Sequence, residues 1–331
     1  MSPMNVLFIN GIADDRKVKI SKIDKIGNVN WMSKGSANVR AYLENEQFNR
    51  LKIDLDTRMD QELPRYQMIH GVFNEISDPD THKITLHKAD QFYQAISSDI
   101  PFFNIPSRVM RTSRDQIYKL LQGIEKLHVP KTIKIQPKSS QEIHDVIKEE
   151  GFQYPVIFRQ AGDHGGISTI RVDNETEQFY SFHLDGREYY LTQFVEYKED
   201  GLYRKYRLMV VDGKVYLRHI KISAEWMVHH HNQIEHPEAL QKKFKKEFAS
   251  KIKPAIQPII SQIYNRLELD YFGIDCFIDN DMNILVFEVN ASMGIFRQPE
   301  GDIFSDQVEK IRKAMIEMIN SRVIKNNIER Q

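Results

Sequence analysis

Short apolar runs alternate with amphipathic stretches along this chain, a pattern typical of a mixed α/β protein. Residues 5–9 and 67–74 are apolar runs that predict strands in the N-terminal part. Ser113 and Gln116 precede apolar side chains at helical spacing and predict a capping box at the start of a helix. Strand-like runs dominate the second half of the chain, and residues 305–324 predict a final amphipathic helix.

Two apolar strands flank a polar turn within residues 273–290, a pattern that predicts a β-hairpin. With residues 281 and 282 at the tip of the turn, Asp275 lies opposite Glu288, and Asn290 shares the face of Glu288. Carboxylates about 4–5 Å apart repel each other unless a cation compensates, and Mg²⁺ needs only one or two of them. This segment alone leaves two interpretations open, a metal–nucleotide site and a pair of solvent-facing acids.

Composition narrows the class of protein further. The 331 residues suffice for about two domains. Lysine plus arginine equals aspartate plus glutamate at 46 each, so no overall charge favours nucleic acid or an anionic membrane. The single cysteine, Cys276, is incompatible with an internal disulfide framework and is expected to pack in the core. The start of the chain lacks a signal peptide, and no apolar run is long enough to span a bilayer, so we expect a cytoplasmic protein.

Three segments upstream of the hairpin suggest a phosphate site. Arg159 ends an apolar strand and is followed by a glycine loop, whose backbone amides could approach phosphates closely. The strand at residues 190–196 turns polar at its end, where backbone groups could meet an adenine edge. Arg207 and Lys221 lie on later strands and could neutralise phosphate charge. Each segment also has a plain interpretation as a surface hairpin, a strand leading into a turn, or an exposed basic side chain.

Taken in order, these segments resemble the ATP-grasp superfamily, whose members include glutathione synthetase and D-alanine–D-alanine ligase. The resemblance covers residues from about 104 to 296 and is most specific at the acid on one strand and Glu-x-Asn on the next. The matching segments are Pro-Val-Ile-Phe-Arg159, the glycine loop, Gln193-Phe-Val-Glu196, the Arg207 strand, Gly-Ile-Asp275, Phe-Glu288-Val-Asn290 and Ala-Ser-Met-Gly294. It implies an ATP-grasp fold, of class α/β (α+β), preceded by a Rossmann-like N-terminal α/β domain.

The resemblance also implies a role for individual residues. The loop at 161–168 would close over the phosphates, and Glu199 or Asp200 would lie near the ribose. The residues implied to bind the nucleotide are Arg114, Arg159, Gly165, Gly166, Gln193, Phe194, Val195 and Asp200. Asp275, Glu288 and Asn290 would hold one or two Mg²⁺ ions, while Arg207 would stabilise the transferred phosphoryl group with Lys221 as a helper.

The chain departs from the family pattern at several positions. Gln116 stands where many relatives carry lysine, and Arg111 or Arg114 would supply the missing charge. Lys205 replaces a frequent acid, and Met293 replaces a frequent proline. His229, His230 and His231 are adjacent rather than spaced for a metal, so they form either a loop near the acceptor or a solvated loop.

The resemblance implies an ATP-dependent carboxylate–amine ligase that forms an amide through an acyl phosphate. Its partners would be ATP, Mg²⁺, a carboxylate donor and an amine acceptor, either a small molecule or a peptide, and a homodimer is common among relatives. Two alternatives stay open, a phosphotransferase acting on a hydroxyl and a non-catalytic nucleotide-binding module. The predicted domains are 1–105 and an ATP-grasp domain at 106–331, the latter divided into 106–190 and 191–331.

Overall fold

The computed structural model describes residues 4–27, 29–32, 34–56, 69–96, 98–163, 165–229, 232–296 and 301–329. It confirms the mixed α/β class, because one sheet is parallel and the others are wholly or mostly antiparallel. Within the described residues, no helix is both long and apolar enough to cross a membrane.

The N-terminal part is built on a four-stranded sheet whose neighbouring strands all run parallel. Its elements are β1 (Met4–Gly11), β2 (Lys19–Ile23), β3 (Val29–Met32), β4 (Phe48–Leu55), β5 (Gly71–Asn74), β6 (Phe102–Phe103), α1 (Lys83–Ala95) and α2 (Pro106–Val109). The sheet order is β4-β1-β5-β6, while β2 and β3 form a separate hairpin. The strand predicted at 67–74 is observed as β5, and residues 67 and 68 lie outside the described residues. The Rossmann-like description of this sheet stays a prediction.

The middle of the chain forms a small antiparallel sheet covered by one helix. Its elements are α3 (Arg114–Leu120), β7 (Leu127–His128), β8 (Thr132–Ile135), α4 (Ser140–Glu149), β9 (Val156–Gln160), β10 (Thr169–Val172) and β11 (Tyr189–Gln193). The sheet order is β10-β9-β11-β8. Ile143 and Ile147 of α4 pack into a core in which the rings of Phe158 and Tyr189 stack 4.7 Å apart. This sheet therefore has a core of its own.

The capping box predicted at Ser113 and Gln116 does not form. Ser113 does occupy the N-cap of α3, but its hydroxyl donates a hydrogen bond to Asp115 Oδ1 at 2.9 Å. The Gln116 amide donates to Asp115 Oδ2 at 3.1 Å. An acidic residue between the two cap positions offers both side chains a charged acceptor, and such bonds are stronger than neutral ones.

The C-terminal part is a five-stranded sheet with the order β13-β12-β14-β15-β7. Its further elements are β12 (Tyr203–Val211), β13 (Lys214–Ser223), α5 (Glu238–Glu247), α6 (Lys253–Leu267), β14 (Tyr271–Ile278), β15 (Ile284–Ala291) and α7 (Ser305–Glu329). The final helix is confirmed as α7, and its stripe of Val308, Ile311, Met315, Met318 and Ile319 is buried. Cys276 is completely buried, as expected of a core residue.

From Asp275 away from the turn, the hairpin of β14 and β15 has the register that the sequence predicts. Asp275 pairs with Glu288 across the two strands. The turn is longer than a tight two-residue turn, because the strands end at Ile278 and Ile284. An irregularity in pairing between Asp275 and Cys276 shifts the register by one residue, which keeps Asp275 opposite Glu288.

Buried polar contacts fix this hairpin to the N-terminal sheet. The Asn104 amide donates to the Tyr271 carbonyl at 2.6 Å and to Ser292 Oγ at 2.7 Å, and its oxygen accepts from the Tyr271 amide. Asn104 has a φ of 55°, a left-handed conformation that asparagine tolerates better than most residues. Ser292 in turn donates to the Asn74 carbonyl at 2.6 Å. The hydrogen bonds hold the ends of β5, β14 and β15 together, next to the predicted domain boundary at 105.

Candidate active site

A cavity of about 590 Å³ lies where the N-terminal sheet, the small antiparallel sheet and the C-terminal sheet meet. This volume is within the usual range for small-molecule sites. The N-terminal part contributes Gly35, Ser36, Ala37 and Ser77 to its wall. The opposite walls come from the small antiparallel sheet and from the face of the C-terminal sheet that carries Asp275 and Glu288. The structure thus brings the sequence-predicted hairpin to a cleft shared by all parts of the chain.

Asp275 is held by a bidentate ion pair at the cavity wall. Arg207 lies opposite it on β12, and its Nε and Nη2 donate to the two carboxylate oxygens at 2.7 Å each. Burial opposes ionisation of Asp275, but the Arg207 guanidinium outweighs it and lowers the pKa of this carboxyl. Asp275 is therefore a carboxylate at neutral pH, even though its side chain is only 5% exposed.

A second arginine contacts Glu288 through one of its carboxylate oxygens. Arg114 Nη2 lies 2.8 Å from Glu288 Oε2, and Arg114 Nη1 donates to the Phe287 carbonyl at 2.7 Å. Arg114 is the first residue of α3, so its side chain links this helix to β15. From the sequence, Arg111 or Arg114 is expected to supply the positive charge that is missing at Gln116. The structure brings Arg114 to the cavity wall.

Lysine side chains extend this basic wall. Lys205 and Lys221 are direct partners across β12 and β13, and Lys205 Nζ lies 3.9 Å from Asp275 Oδ2. Burial, together with the charges of Lys205 and Arg207, lowers the pKa of Lys221 to about 8. Like charges placed directly opposite each other repel. The facing ammonium groups of Lys205 and Lys221 are therefore suited to bind an anion, which would reduce their repulsion.

Arg159 lies on the other side of the cavity, beneath the glycine loop. Burial, reinforced by the charge of Arg114, lowers the pKa of Arg159 to about 10, and its guanidinium donates to the Asp163 carbonyl. Gly165 and Gly166 line the cavity with φ values of 76° and 77°. A Cβ at Gly166 would meet the end of the His229 side chain, and the positive φ of this residue itself favours glycine. Residues 164, 230 and 231 lie outside the described residues.

The remaining end of the cavity is mostly apolar. Its lining side chains include Ile117, Val129, Pro130, Ile157, Val195, Tyr197, Leu285 and Phe287. Phe194 lines it too and packs edge-on against Trp226, with ring centroids 5.7 Å apart. An apolar slot of this kind beside a basic wall matches a base joined to phosphates.

Of the residues predicted for the nucleotide, Gln193 bonds to other groups and Asp200 lies outside the described cavity lining. Gln193 lines the cavity, but its amide donates to the carbonyls of Gln153, Pro155 and Phe194 and so fixes the surrounding loops. Asp200 is exposed in a turn with φ of 52° and is absent from the described cavity lining. Glu199 pairs with Arg204 and accepts from Asn280 at 2.7 Å. The ribose contact of Glu199 or Asp200 stays a prediction.

The residues at the hairpin fit a Mg²⁺ site by their donor chemistry. Asp275 and Glu288 supply carboxylate oxygens, and Asn290, two residues after Glu288 on β15, supplies an amide oxygen at the same wall. Among the described residues, no group of three His, Cys, Asp or Glu side chains could hold a metal. Such a site would therefore need phosphate oxygens and water to complete its shell, which is how Mg²⁺ is commonly bound.

The sequence did not reveal the N-terminal wall of the cavity. Gly35, Ser36 and Ala37 carry no motif, and Ala37 lies against Gly294, three residues after the end of β15. A Cβ at Gly294 would lie 2.7 Å from the Ala37 carbonyl oxygen. The sequence signal available in advance was the small size of these residues, which permits such an approach but does not specify its partner.

Lys221 gives the site a testable pH dependence. Its ammonium is charged below about pH 8 and neutral above it. If this charge binds phosphate, kcat/KM for ATP is expected to fall as the pH rises through about 8. Lys221→Arg should remove this decline, because a guanidinium stays protonated throughout the range. Steady-state rates between pH 6.5 and 9.5 (about three units, chosen around the lysine pKa) make the comparison. An identical decline in both proteins would contradict the assignment.

Comparison with known proteins assigns this fold to one class. Many solved structures are similar at low sequence identity, which establishes the fold. VanG D-Ala:D-Ser ligase from Enterococcus faecalis has a TM-score of 0.57 at 12% identity, over 97% of this chain and 99% of that chain. D-alanyl-alanine synthetase A from Vibrio cholerae has a TM-score of 0.55 at 12% identity, over 98% of this chain and 100% of that chain. D-alanine-D-alanine ligase from Coxiella burnetii has a TM-score of 0.56 at 11% identity, over 98% of this chain and 97% of that chain.

The fold, shared along nearly the whole chain, is that of the ATP-grasp ligases. The sequence model of the RimK-like ATP-grasp domain matches residues 116–319, and the chain belongs to that family. It is therefore an ATP-grasp ligase, a class that uses ATP and generally requires Mg²⁺. No curated protein sequence matches the chain significantly.

Proposed function

We propose that the protein joins a carboxylate to an amine at the expense of ATP, through an acyl phosphate. The observation that carries this proposal is the cavity itself, where an apolar slot adjoins five basic side chains and the paired acids Asp275 and Glu288. The basic side chains are Arg114, Arg159, Lys205, Arg207 and Lys221. The names of the similar structures, which specify ligases of two amino acids, also favour amide formation.

The reaction proceeds in two steps. A carboxylate oxygen of the donor attacks the γ-phosphorus of ATP while the bond to the β-phosphate oxygen breaks, which yields an acyl phosphate and ADP. The amine nitrogen then attacks the acyl carbon and loses a proton, and inorganic phosphate leaves with the electrons of the carbon–oxygen bond. Catalysis of this kind depends on positioning and on charge neutralisation, so no covalent nucleophile is needed.

The chain's own residues would divide this work by position. Arg159, Gly165 and Gly166 would contact the phosphates, and Phe194 and Val195 would line the base. Arg207 and Lys221 would neutralise the phosphoryl group in transit. Asp275, Glu288 and Asn290 would hold Mg²⁺, which when bound offsets the charge of the phosphate oxygens. Closure of the glycine loop would exclude water, which would otherwise hydrolyse the acyl phosphate.

Trapping with hydroxylamine tests the proposal. The protein is incubated with ATP, Mg²⁺, hydroxylamine and a pool of small carboxylates and acidic peptides. An ATP-dependent hydroxamate with one ADP released per product is the expected result. A stable phosphorylated alcohol formed from added hydroxyl compounds would instead identify a phosphotransferase. ATP binding without turnover in any mixture would identify a nucleotide-binding module, and either outcome would overturn the proposal.

A further inference from the structure

The hairpin of β2 and β3 carries an unusual concentration of exposed apolar side chains. Val18, Ile20, Ile23, Ile26 and Val29 are exposed by 43%, 56%, 60%, 84% and 47%, respectively. Most of the other large exposed hydrophobic side chains lie singly elsewhere on the described surface. A local group of this kind marks an interaction site more often than isolated exposed residues do. Within the described residues, β2 and β3 pair only with each other, so the hairpin presents open strand edges.

The hairpin is also strongly basic. Residues 16–34 contain six basic side chains and one acidic side chain, whereas the whole chain is balanced at 46 of each sign. The basic residues are Arg16, Lys17, Lys19, Lys22, Lys25 and Lys34, and the acidic residue is Asp24. Because the chain as a whole carries no net charge, this local excess predicts an acidic partner.

The strand register places the apolar and the basic side chains on opposite faces. Ile23 pairs with Val29, and Ile20 pairs with the residue two positions after Val29, so these three share one face. Lys19 and Lys22 pair with the alternate positions of β3 and share the other face. The irregular pairing between Ile20 and Lys22 is what brings Ile20 and Ile23 to the same side.

This two-faced pattern determines the kind of ligand that fits. A strand added to the edge of the hairpin also alternates with a period of two. Apolar residues at alternate positions would then lie beside Ile20 and Ile23, and acidic residues between them would lie beside Lys19 and Lys22. A lipid surface fits less well, since it would need the basic and apolar groups to face the same plane. A second copy of the hairpin would place lysines against lysines.

The hairpin leads directly into the cavity wall. β3 ends at Met32, and Gly35 already lines the cavity. Three residues span at most about 10 Å. The segment that follows is anchored on the N-terminal sheet, because Gly35 O accepts from the Ser77 amide and the Ala37 amide donates to Glu75 O, both at 2.8 Å. A peptide bound at this edge would therefore have its end near the mouth of the cavity.

We propose that the β2–β3 hairpin is a docking edge for an extended peptide of alternating acidic and apolar residues, which it presents to the ATP-binding cavity. The binding itself follows from the hairpin alone. The further statement that the docked peptide supplies a reacting carboxylate or amine rests on the proposed ligase function.

Fluorescence anisotropy with defined peptide pools tests the docking edge. The probes are labelled pools of alternating Glu and Val, Ile or Tyr, and a matched pool with Lys in place of Glu. Wild-type protein is expected to bind the acidic pool and to reject the basic one. Ile20→Ser combined with Ile23→Ser should weaken binding about tenfold or more, because apolar burial is lost. The matched control Tyr180→Ser removes a side chain that is 88% exposed and should bind as the wild type does.

Charge reversal gives a second, independent test. Lys19→Glu combined with Lys22→Glu is expected to lose the acidic pool and to gain the basic pool, a result that misfolding cannot produce. Equal binding in all variants would overturn the proposal. So would hairpin-dependent binding to phosphatidylserine vesicles without peptide binding, or self-association that the isoleucine variants abolish. Peptide binding to the hairpin needs no ATP, so the two proposals can fail separately. If the charge-reversed variant switches its peptide preference but no hydroxamate forms, the docking edge stands and only the proposed ligase function is wrong.

Discussion

Asp275→Asn is expected to lower the turnover number by about 10²–10³-fold while the protein remains folded. Asparagine keeps the shape and one acceptor oxygen for Arg207, but it removes the negative charge that pairs with this guanidinium at 2.7 Å. It also removes a proposed Mg²⁺ ligand. The free energy of unfolding should fall by no more than about 3 kcal/mol, because Arg207 retains a hydrogen-bond partner. Steady-state ADP release and a thermal melt measure the two effects.

Asp281→Asn is the matched control for this prediction. Asp281 lies in the exposed turn of the same hairpin and outside the described cavity lining. The same chemical change at this position should leave the turnover number within about twofold of the wild type. If Asp275→Asn kept comparable activity, the assignment of this carboxylate to the reaction would be wrong.

Glu288→Gln is expected to reduce turnover by about 10–10²-fold and to raise the Mg²⁺ concentration needed for half-maximal rate by a similar factor. Glutamine is nearly isosteric, so the loss would come from the charge that Glu288 offers to a cation and to Arg114. Titration of Mg²⁺ at saturating ATP measures the shift. A metal-dependent readout separates this role from a structural one, which would alter stability without changing the Mg²⁺ requirement.

Glu268→Gln provides the control for Glu288. Glu268 also pairs with an arginine, since its Oε1 lies 3.4 Å from Arg108 Nη2, but it is half exposed and lies outside the described cavity lining. Its replacement should change neither turnover nor the Mg²⁺ requirement, because exposed ion pairs contribute little. An unchanged Mg²⁺ titration in Glu288→Gln would contradict the metal assignment even if turnover fell.

The hairpin and the pairing of Asp275 with Glu288 could be predicted from the sequence alone. Side chains alternate along a strand, so the pairing of Asp275 with Glu288 follows once the centre of the turn is known. The turn is longer than expected, and the irregularity beside Asp275 compensates for it. The same alternation placed Glu288 and Asn290 on one face. Local periodicity therefore predicted the part of the site that lies on regular strands.

Contacts between segments that are distant along the chain could not be predicted from the sequence. The contacts of Arg114 with Phe287 and Glu288 join residues 173 and 174 positions apart, and the wall at Gly35 to Ala37 depends on the packing of two sheets. Gln193 was expected to meet the base, yet its amide is used by neighbouring carbonyls. Hydrogen-bond partners of this kind depend on loop geometry rather than on residue type or spacing. The capping box at Ser113 does not form because the side chains of Ser113 and Gln116 donate to Asp115 instead of accepting from backbone amides.

Transfer of ¹⁸O from a labelled carboxylate to inorganic phosphate tests the central claim most directly. The protein is supplied with ATP, Mg²⁺, an amine pool and donors labelled in both carboxylate oxygens, and the released phosphate is analysed by mass spectrometry. The acyl-phosphate route predicts that the phosphate carries one donor oxygen for each amide formed. Unlabelled phosphate released together with ADP would show that water, rather than a carboxylate, attacked ATP, and would contradict the account.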